Sequence, residues 1–345
     1  MRRALALAER GRGTTQPNPT VGAVIVRGGR IAAEGFHRKA GEAHAEVNAL
    51  AALRGSPRGT TLYVTLEPCD HTGRTGPCTE VIMGARPARV VVGCRDPNPI
   101  VDGRGLARLR RAGIRVDVGC LEDQAKAAIR AYSVWVRERR PLVTLKAAAT
   151  LDGFIAQRPK AGARAPAAPR RRAPIWITGP EARAAAHELR AAHDAILVGA
   201  GTVRADDPRL TVRDGKRRPA RQPLRVVLAG RRPLPARAHV FDQAAETLTI
   251  DDPRGRVAPA RALKLLAARG VQSVLVEGGA AIAGAFIAAG LVDRVALFVA
   301  PKLLGGGVGV SAGGDRAIAR ALPLGPISVQ PVGRDLLLTA DVERG

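Results

Sequence analysis

Aromatic side chains make up only 3% of the 345 residues, acidic residues are outnumbered 55 to 30 by basic ones, and there are four cysteines. Each shortage excludes something. So few rings leave little on which nucleobases could stack, which disfavours a nucleic-acid partner. No apolar run reaches the roughly 18 residues of a membrane-spanning helix. The opening Met1-Arg2-Arg3-Ala4 lacks the long apolar stretch of a secretory signal. A cytoplasmic protein with no membrane contact is expected. In that compartment Cys69, Cys78, Cys94 and Cys120 speak for metal or catalytic use rather than disulfides.

What remains is ordinary for a folded chain, with 46% apolar and 25% charged residues. The length suggests two domains of about 100–200 residues each. A net charge of +25 can attract nucleic acid, anionic membrane or phosphorylated small molecules. Arginine is spread along the whole chain, however, beside abundant Ala, Gly and Pro, which reads as a compositional bias and not a patch.

The first 120 residues alternate strand and helix signals. Val21–Val26 and Ile31–Ala33 flank Gly28-Gly29 and predict a hairpin. A helix is expected over Glu42–Leu53, a strand over Thr61–Leu66, a short helix from near Pro77 to Gly84 and a strand over Arg89–Gly93. Helix Leu106–Ala112, strand Ile114–Val118 and one helix over 121–140 follow, and the domain boundary is placed before Pro141. A second series has strands at Leu142–Ala147, Ala195–Val198, Leu224–Leu228, Ser273–Val276 and Arg294–Val299. Its helices are at Glu181–Ala192, Pro259–Ala268 and Ala280–Ala289. Both series predict α/β domains, 1–140 and 141–345. The aperiodic Arg158–Ala173 tract is expected to be a flexible surface insertion.

The strongest chemical signal is Ala43-His44-Ala45-Glu46 together with Glu67-Pro68-Cys69 and Pro77-Cys78. One imidazole and two thiolates suit zinc, and a catalytic zinc usually keeps its fourth position for water, whose pKa it lowers. His44 and Glu46 are two apart and can reach one site only off the first turn of a helix. Cys78 opens a helix, whose N-terminus favours thiolate. Glu46 is then the general acid/base, as in zinc nucleobase deaminases with their H-x-E…P-C-x-x-C pattern. Here eight residues, not two, separate the cysteines. The blander reading is an exposed helix start and two buried thiols. Cys94 and Cys120 are expected to pack in the core, and His37, His71 and His239 to be structural or surface groups.

The long spacing is itself informative. Thr65-Leu66-Glu67-Pro68-Cys69-Asp70-His71-Thr72-Gly73-Arg74-Thr75-Gly76-Pro77-Cys78 and Gln16-Pro17-Asn18-Pro19-Thr20-Val21-Gly22 resemble the bifunctional riboflavin-biosynthesis deaminase/reductase family of bacteria. So do Val143-Thr144-Leu145-Lys146, Leu151-Asp152-Gly153, Trp176-Ile177-Thr178-Gly179, Asp206-Asp207-Pro208-Arg209-Leu210-Thr211 and Val276-Glu277-Gly278-Gly279. The resemblance implies an N-terminal cytidine-deaminase-like αβα domain and a C-terminal dihydrofolate-reductase-like α/β domain. It implies deamination of a diaminopyrimidinone carrying ribosylamino 5-phosphate, then NADPH reduction of the ribosyl group to ribityl. It also implies Zn2+ on His44, Cys69 and Cys78, with Glu46 as proton shuttle. Ala148, Trp176, Thr202 and Asp206 match positions that touch the dinucleotide, and Gly279–Ala285 a cofactor phosphate contact. Arg190, Leu210, Arg213 and Glu277 match substrate positions. A helix N-terminus after Gly278-Gly279 suits phosphate, and guanidinium binds phosphate bidentately. The partner implied is a phosphorylated pyrimidine, and a homo-oligomer is expected.

Two departures stand out. Pro174 occupies the position where the family has a substrate-contacting Ser, and Ala229-Gly230 stands in place of Asp-Ser. Two other readings stay open: a base deaminase acting on RNA or DNA, and a zinc-stabilised interaction protein with a degenerate reductase half.

Overall fold

Strand β1 (Gly22–Arg27) reverses into β2 (Arg30–Phe36) through Gly28 and Gly29, at φ +55° and +75°. A two-residue hairpin loop that follows the strand twist needs two such left-handed residues. The computed structural model describes residues 1–73, 75–158, 175–213, 221–313 and 318–343. The chain divides into two units, Met1–Arg140 and Pro141–Gly345.

In the first unit β3 (Thr61–Leu66), β4 (Arg89–Cys94) and β5 (Arg115–Val118) complete a sheet ordered β2-β1-β3-β4-β5. Its last three strands are parallel, and β1 runs antiparallel to both neighbours. Ala45 and Ala49 of α2 (Ala45–Ala52), Ile82 of α3 (Cys78–Ala85) and Leu109 of α4 (Arg104–Arg111) bury against Ile25, Leu62, Val64 and Val92 on one face. Ala125 of α5 (Glu122–Ala128) and Tyr132 and Val136 of α6 (Arg130–Glu138) bury against Leu66 and Cys94 on the other. The result is the expected αβα sandwich, with Cys94 in its core. An additional N-terminal helix, Arg2–Ala8, sets Ala4 and Leu7 against Val24.

Two departures from the sequence expectation concern helices of the first unit. The helix expected from Glu42 begins at Ala45, because Asn48 Nδ2 holds the carbonyls of Phe36 and Ala43 at 2.9 and 3.0 Å and keeps the preceding chain extended. The single helix expected over 121–140 breaks at Ile129 (φ −105°, ψ 11°) into α5 and α6.

The second unit is built on an eight-stranded sheet. Its parallel strands are β6 (Leu142–Thr150), β8 (Ala195–Gly199), β9 (Leu224–Leu228), β10 (Thr247–Ile250), β11 (Ser273–Val276) and β12 (Arg294–Ala300). Two antiparallel strands, β14 (Ser328–Val332) and β15 (Asp335–Asp341), close one side. The short strands β7 (Phe154–Ala156) and β13 (Val308–Gly309) pair separately. The order is β10-β9-β8-β11-β6-β12-β15-β14. Late in the chain, β11 therefore inserts between β6 and β8, and the carboxyl ends of β8 and β11 lie side by side. Ligands of open parallel sheets bind at such ends. Helices α7 (Pro180–Ala191), α8 (Ala200–Asp206), α9 (Pro259–Ala268) and α10 (Ala280–Ala288) pack on the sheet.

Strands β10, β14 and β15 and helix α8 carry no strong sequence signal. β14 is exposed through Pro331 and lacks the alternation that marks a half-buried strand. Most of the expected 158–173 insertion, and Pro174, lie outside the described residues. Gly230 makes an isolated bridge to Arg256.

Candidate functional site

His44 caps α2 in extended conformation (ψ 168°), so its ring leaves the helix and Glu46 sits in the first turn behind it. Cys78 is the first residue of α3, and Cys69 follows the end of β3. These starts converge. His44 Nδ1 lies 3.2 Å from Cys78 Sγ and 3.5 Å from Cys69 Sγ, and all three ligand atoms lie within 4.8 Å of one another. The Cys78 backbone N–H donates to Cys69 Sγ at 3.4 Å, and the Thr79 N–H donates to the Cys69 carbonyl at 3.2 Å.

The donor set tests well against zinc. A tetrahedral ion about 2.1 Å from nitrogen and about 2.3 Å from sulfur needs N···S separations of about 3.5 Å. Hydrogen bonds from Cys78 and His44 hold the Cys69 thiol well below its ordinary range, while the adjoining thiolate and burial push Cys78 up. The hydrogen bond to Cys69 raises His44. The trio thus sets one imidazole nitrogen and two sulfurs around a common point, a donor set that suits zinc. Glu46 is 3% exposed, and burial together with the neighbouring Cys69 charge pushes its carboxyl up to about 7. A group of that acidity gives and takes protons near neutral pH.

The same cavity is lined by Pro17, Asn18, His37, Asp96, Tyr132 and Trp135, none of which the sequence reading assigned to a site. Asn18 Nδ2 donates to His37 Nε2 (3.1 Å), which leaves His37 Nδ1 to donate to the Ala43 carbonyl (3.2 Å). Burial lowers the His37 pKa, so a neutral ring packs edge-on against His44, with centroids 5.1 Å apart. Burial raises the Asp96 carboxyl to about 6, and it accepts from Tyr132 Oη and from the Asn98 N–H. Only the Gln16–Gly22 motif hinted at this wall. His71 lines the cavity as well, and His239 is a half-exposed partner of Asp207.

In the second unit the expected positions fall into groups. Arg190 donates to both Glu277 carboxylate oxygens (2.7 and 2.8 Å) and to the Thr211 carbonyl (3.2 Å). Lys146 Nζ stands 3.9 Å from Glu277. Burial alone would raise the Glu277 carboxyl, but Arg190 and Lys146 outweigh it and hold it at about 2. Arg213 bonds Thr211 Oγ1 through its guanidinium and His187 Nδ1 through its backbone. Leu210 is 2% exposed and sits at φ +51°, a left-handed conformation that β- and γ-substituted residues adopt only when packing forces it. The buried Arg225 guanidinium fixes this segment by donating to the carbonyls of Arg209 and His239 and to Asp242.

Gly279 caps α10 in extended backbone, and a Cβ there would lie 4.0 Å from Thr202 Oγ1, so these two cofactor positions adjoin. Asp206 ends α8 in the same connection that follows β8. Ala148 shares the Lys146 face of β6 by the two-residue period. Trp176 lies on the approach to α7. It is 55% exposed, with the Arg183 guanidinium 4.9 Å from its ring and Lys302 on its carbonyl. Lys146 and His187 were missed as site residues because their partners are remote in the chain.

The RibD C-terminal domain family matches residues 141–338, and the cytidine and deoxycytidylate deaminase zinc-binding region matches residues 1–94. The riboflavin biosynthesis protein RibD of Aquifex aeolicus is 38% identical, over 98% of this chain and 96% of its own. This chain belongs to the RibD family. The RibD protein of Mycobacterium tuberculosis is 43% identical over 95% of this chain and 92% of its own. Among solved structures, the Thermotoga maritima deaminase/reductase superposes with a TM-score of 0.87 at 36% identity, covering 99% of this chain and 97% of the other. Acinetobacter baumannii RibD superposes at 0.85 with 34% identity, covering 99% and 98%. The α/β architecture, a deaminase-like N-terminal domain and a RibD reductase C-terminal domain, is the family's. Among the described residues no helix is long and apolar enough to cross a membrane.

Proposed function

We propose that the two units carry out consecutive steps on one phosphorylated pyrimidine, 1–140 as the deaminase and 141–345 as the reductase. The chain is a bifunctional deaminase and reductase of riboflavin biosynthesis, with zinc and NADPH as cofactors. One observation carries the assignment of the first site: an imidazole nitrogen and two sulfurs within 4.8 Å of one another, with a buried carboxyl in the adjoining turn.

Zinc held by His44, Cys69 and Cys78 supplies a Lewis acid that makes water acidic near neutral pH. Glu46 takes a proton from the attacking water and passes it to the ring nitrogen. It then moves the second proton to the departing amine, so the C–O bond forms, the C–N bond breaks and ammonia leaves. His37 holds the His44 ring edge, and Asn18, Asp96 and Tyr132 face the pyrimidine.

NADPH supplies the reducing equivalents that convert ribosyl to ribityl. Thr202, Asp206 and Gly279 would hold the dinucleotide, with the N-terminus of α10 offering N–H groups to a phosphate, and Ala148 and Trp176 would border it. Glu277, kept anionic by Arg190 and Lys146, orients the sugar, and Leu210, its side chain in the core, meets the substrate through its backbone. Arg190, held by Glu277 and Thr211, and Arg213, held by Thr211, are the guanidinium groups proposed for the substrate. The four free cysteines accord with a reducing cytoplasm. The exposed Leu324, Ile327 and Val329 beside and within edge strand β14 accord with a homo-oligomer.

The test is an assay of purified protein with the diaminopyrimidine ribosylamino phosphate, with and without NADPH, beside metal analysis. We expect one zinc per chain, ammonia release that needs no NADPH, and NADPH oxidation that waits for deamination. Protein that takes up no zinc and releases no ammonia overturns the assignment.

A further inference from the structure

Glu67 stands two residues before Cys69, is 3% exposed and is not one of the three clustered metal-ligating residues. We propose that Glu67, through the helix it grips, is a positioning residue that fixes both thiols for the metal; this rests on the zinc reading above.

Helix α4 lacks a cap of its own. Its N-cap is Gly103 at φ +86°, and its first turn holds no acidic residue. Glu67 fills that role from another element. Its Oε1 accepts the N–H groups of Gly105 (3.1 Å) and Leu106 (3.4 Å), and its Oε2 those of Gly103 (2.9 Å) and Asp96 (3.2 Å). A carboxylate is the group that a helix N-terminus favours. The helix then presses directly on the neighbouring residue, since a Cβ on Gly105 would lie 2.0 Å from the Pro68 carbonyl oxygen.

The same helix holds the far side of the thiol pair. Arg108 donates to Asp70 Oδ1 (2.7 Å) and Glu80 Oε1 (3.2 Å), and Thr79 Oγ1 donates to that same Asp70 oxygen (2.6 Å). The residues on either side of Cys69, and those just after Cys78, are thus tied to one rigid element. A ligand loop ordered in advance spares the metal the cost of ordering it.

The test uses the full-length zinc-loaded protein. Glu67→Gln keeps the shape but turns an NH2 toward two backbone N–H donors. We expect zinc release to a chromogenic chelator to quicken by about 10–100-fold. The thiolate-to-metal charge-transfer band of the cobalt-substituted protein should weaken or shift, with reductase turnover unchanged. Arg108→Met, which alters a part-exposed contact, should quicken release to a smaller extent. A folded Glu67→Gln protein with wild-type release and an unaltered cobalt band overturns the proposal. Should that variant not fold, Arg108→Met decides, and wild-type release there overturns it equally. Wild-type protein that binds no zinc sinks the proposed function instead.

Discussion

Two buried glutamates, one in each unit, are displaced in opposite directions. At Glu46 burial and the Cys69 charge outweigh the His44 charge and the carboxyl rises to about 7, whereas Glu277 is clasped by Arg190 and Lys146 and falls to about 2. Burial penalises the ionised form of both, and the neighbouring charge decides the outcome. The same side chain is thereby suited to carrying protons in one unit and to staying an anion in the other. The first unit does acid–base chemistry through its own side chains. The second delegates its chemistry to a cofactor and supplies orientation and charge.

That contrast can be broken most severely by removing the metal. Dialysis against a strong chelator should abolish ammonia release and leave reduction of the deaminated intermediate intact, followed by NADPH absorbance. Glu46→Gln should lower deamination by about 10²–10⁴-fold, with zinc content and reductase turnover unchanged. Loss of both activities in folded protein would show that the sites are not independent.

In the second unit, Arg190→Met leaves the Glu277 carboxylate buried with only a distant ammonium. It should destabilise that unit by about 3–5 kcal/mol. A Trp135→Phe background lets Trp176 fluorescence report urea unfolding there. Acid sharpens the point. The folded Glu277 pKa lies below its ordinary 4.5, so the stability it confers is complete above that value and drains away as pH falls from about 4.5 toward about 2. Glu277→Gln should flatten that limb of the pH–stability curve. The smallest effect is expected at the first hairpin, where Gly29→Ala at φ +75° should cost about 1 kcal/mol, read from the urea midpoint of the first unit.

The clustering of His44, Cys69 and Cys78 was legible in the sequence because its signals are local and chemically rare. His44, Glu46, Cys69 and Cys78 are unusual residue types at element starts, and their order alone suggests convergence. The walls of the same cavity were not legible. Asp96 and Tyr132 look like any strand-end acid and helix aromatic until the fold brings them together. The second unit was readable mainly through resemblance. Arginine is so common in this chain that nothing local marks Arg190 as Glu277's partner, and Lys146 gains meaning only when β11 slots between β6 and β8. Strand β14 escaped notice because an edge strand exposed along most of its length carries no burial pattern.

The Thr79–Cys69 backbone bond has one more consequence. It ties off the intervening stretch at its base, so the two sulfurs sit side by side whatever number of residues hangs between them. Eight fit here where two are usual. Changes of length beyond Asp70 would alter the rim, where His71 already faces the cavity, and leave the backbone bond at the base in place. Spacing along the chain is therefore free to drift toward new substrates while the inorganic core stays put.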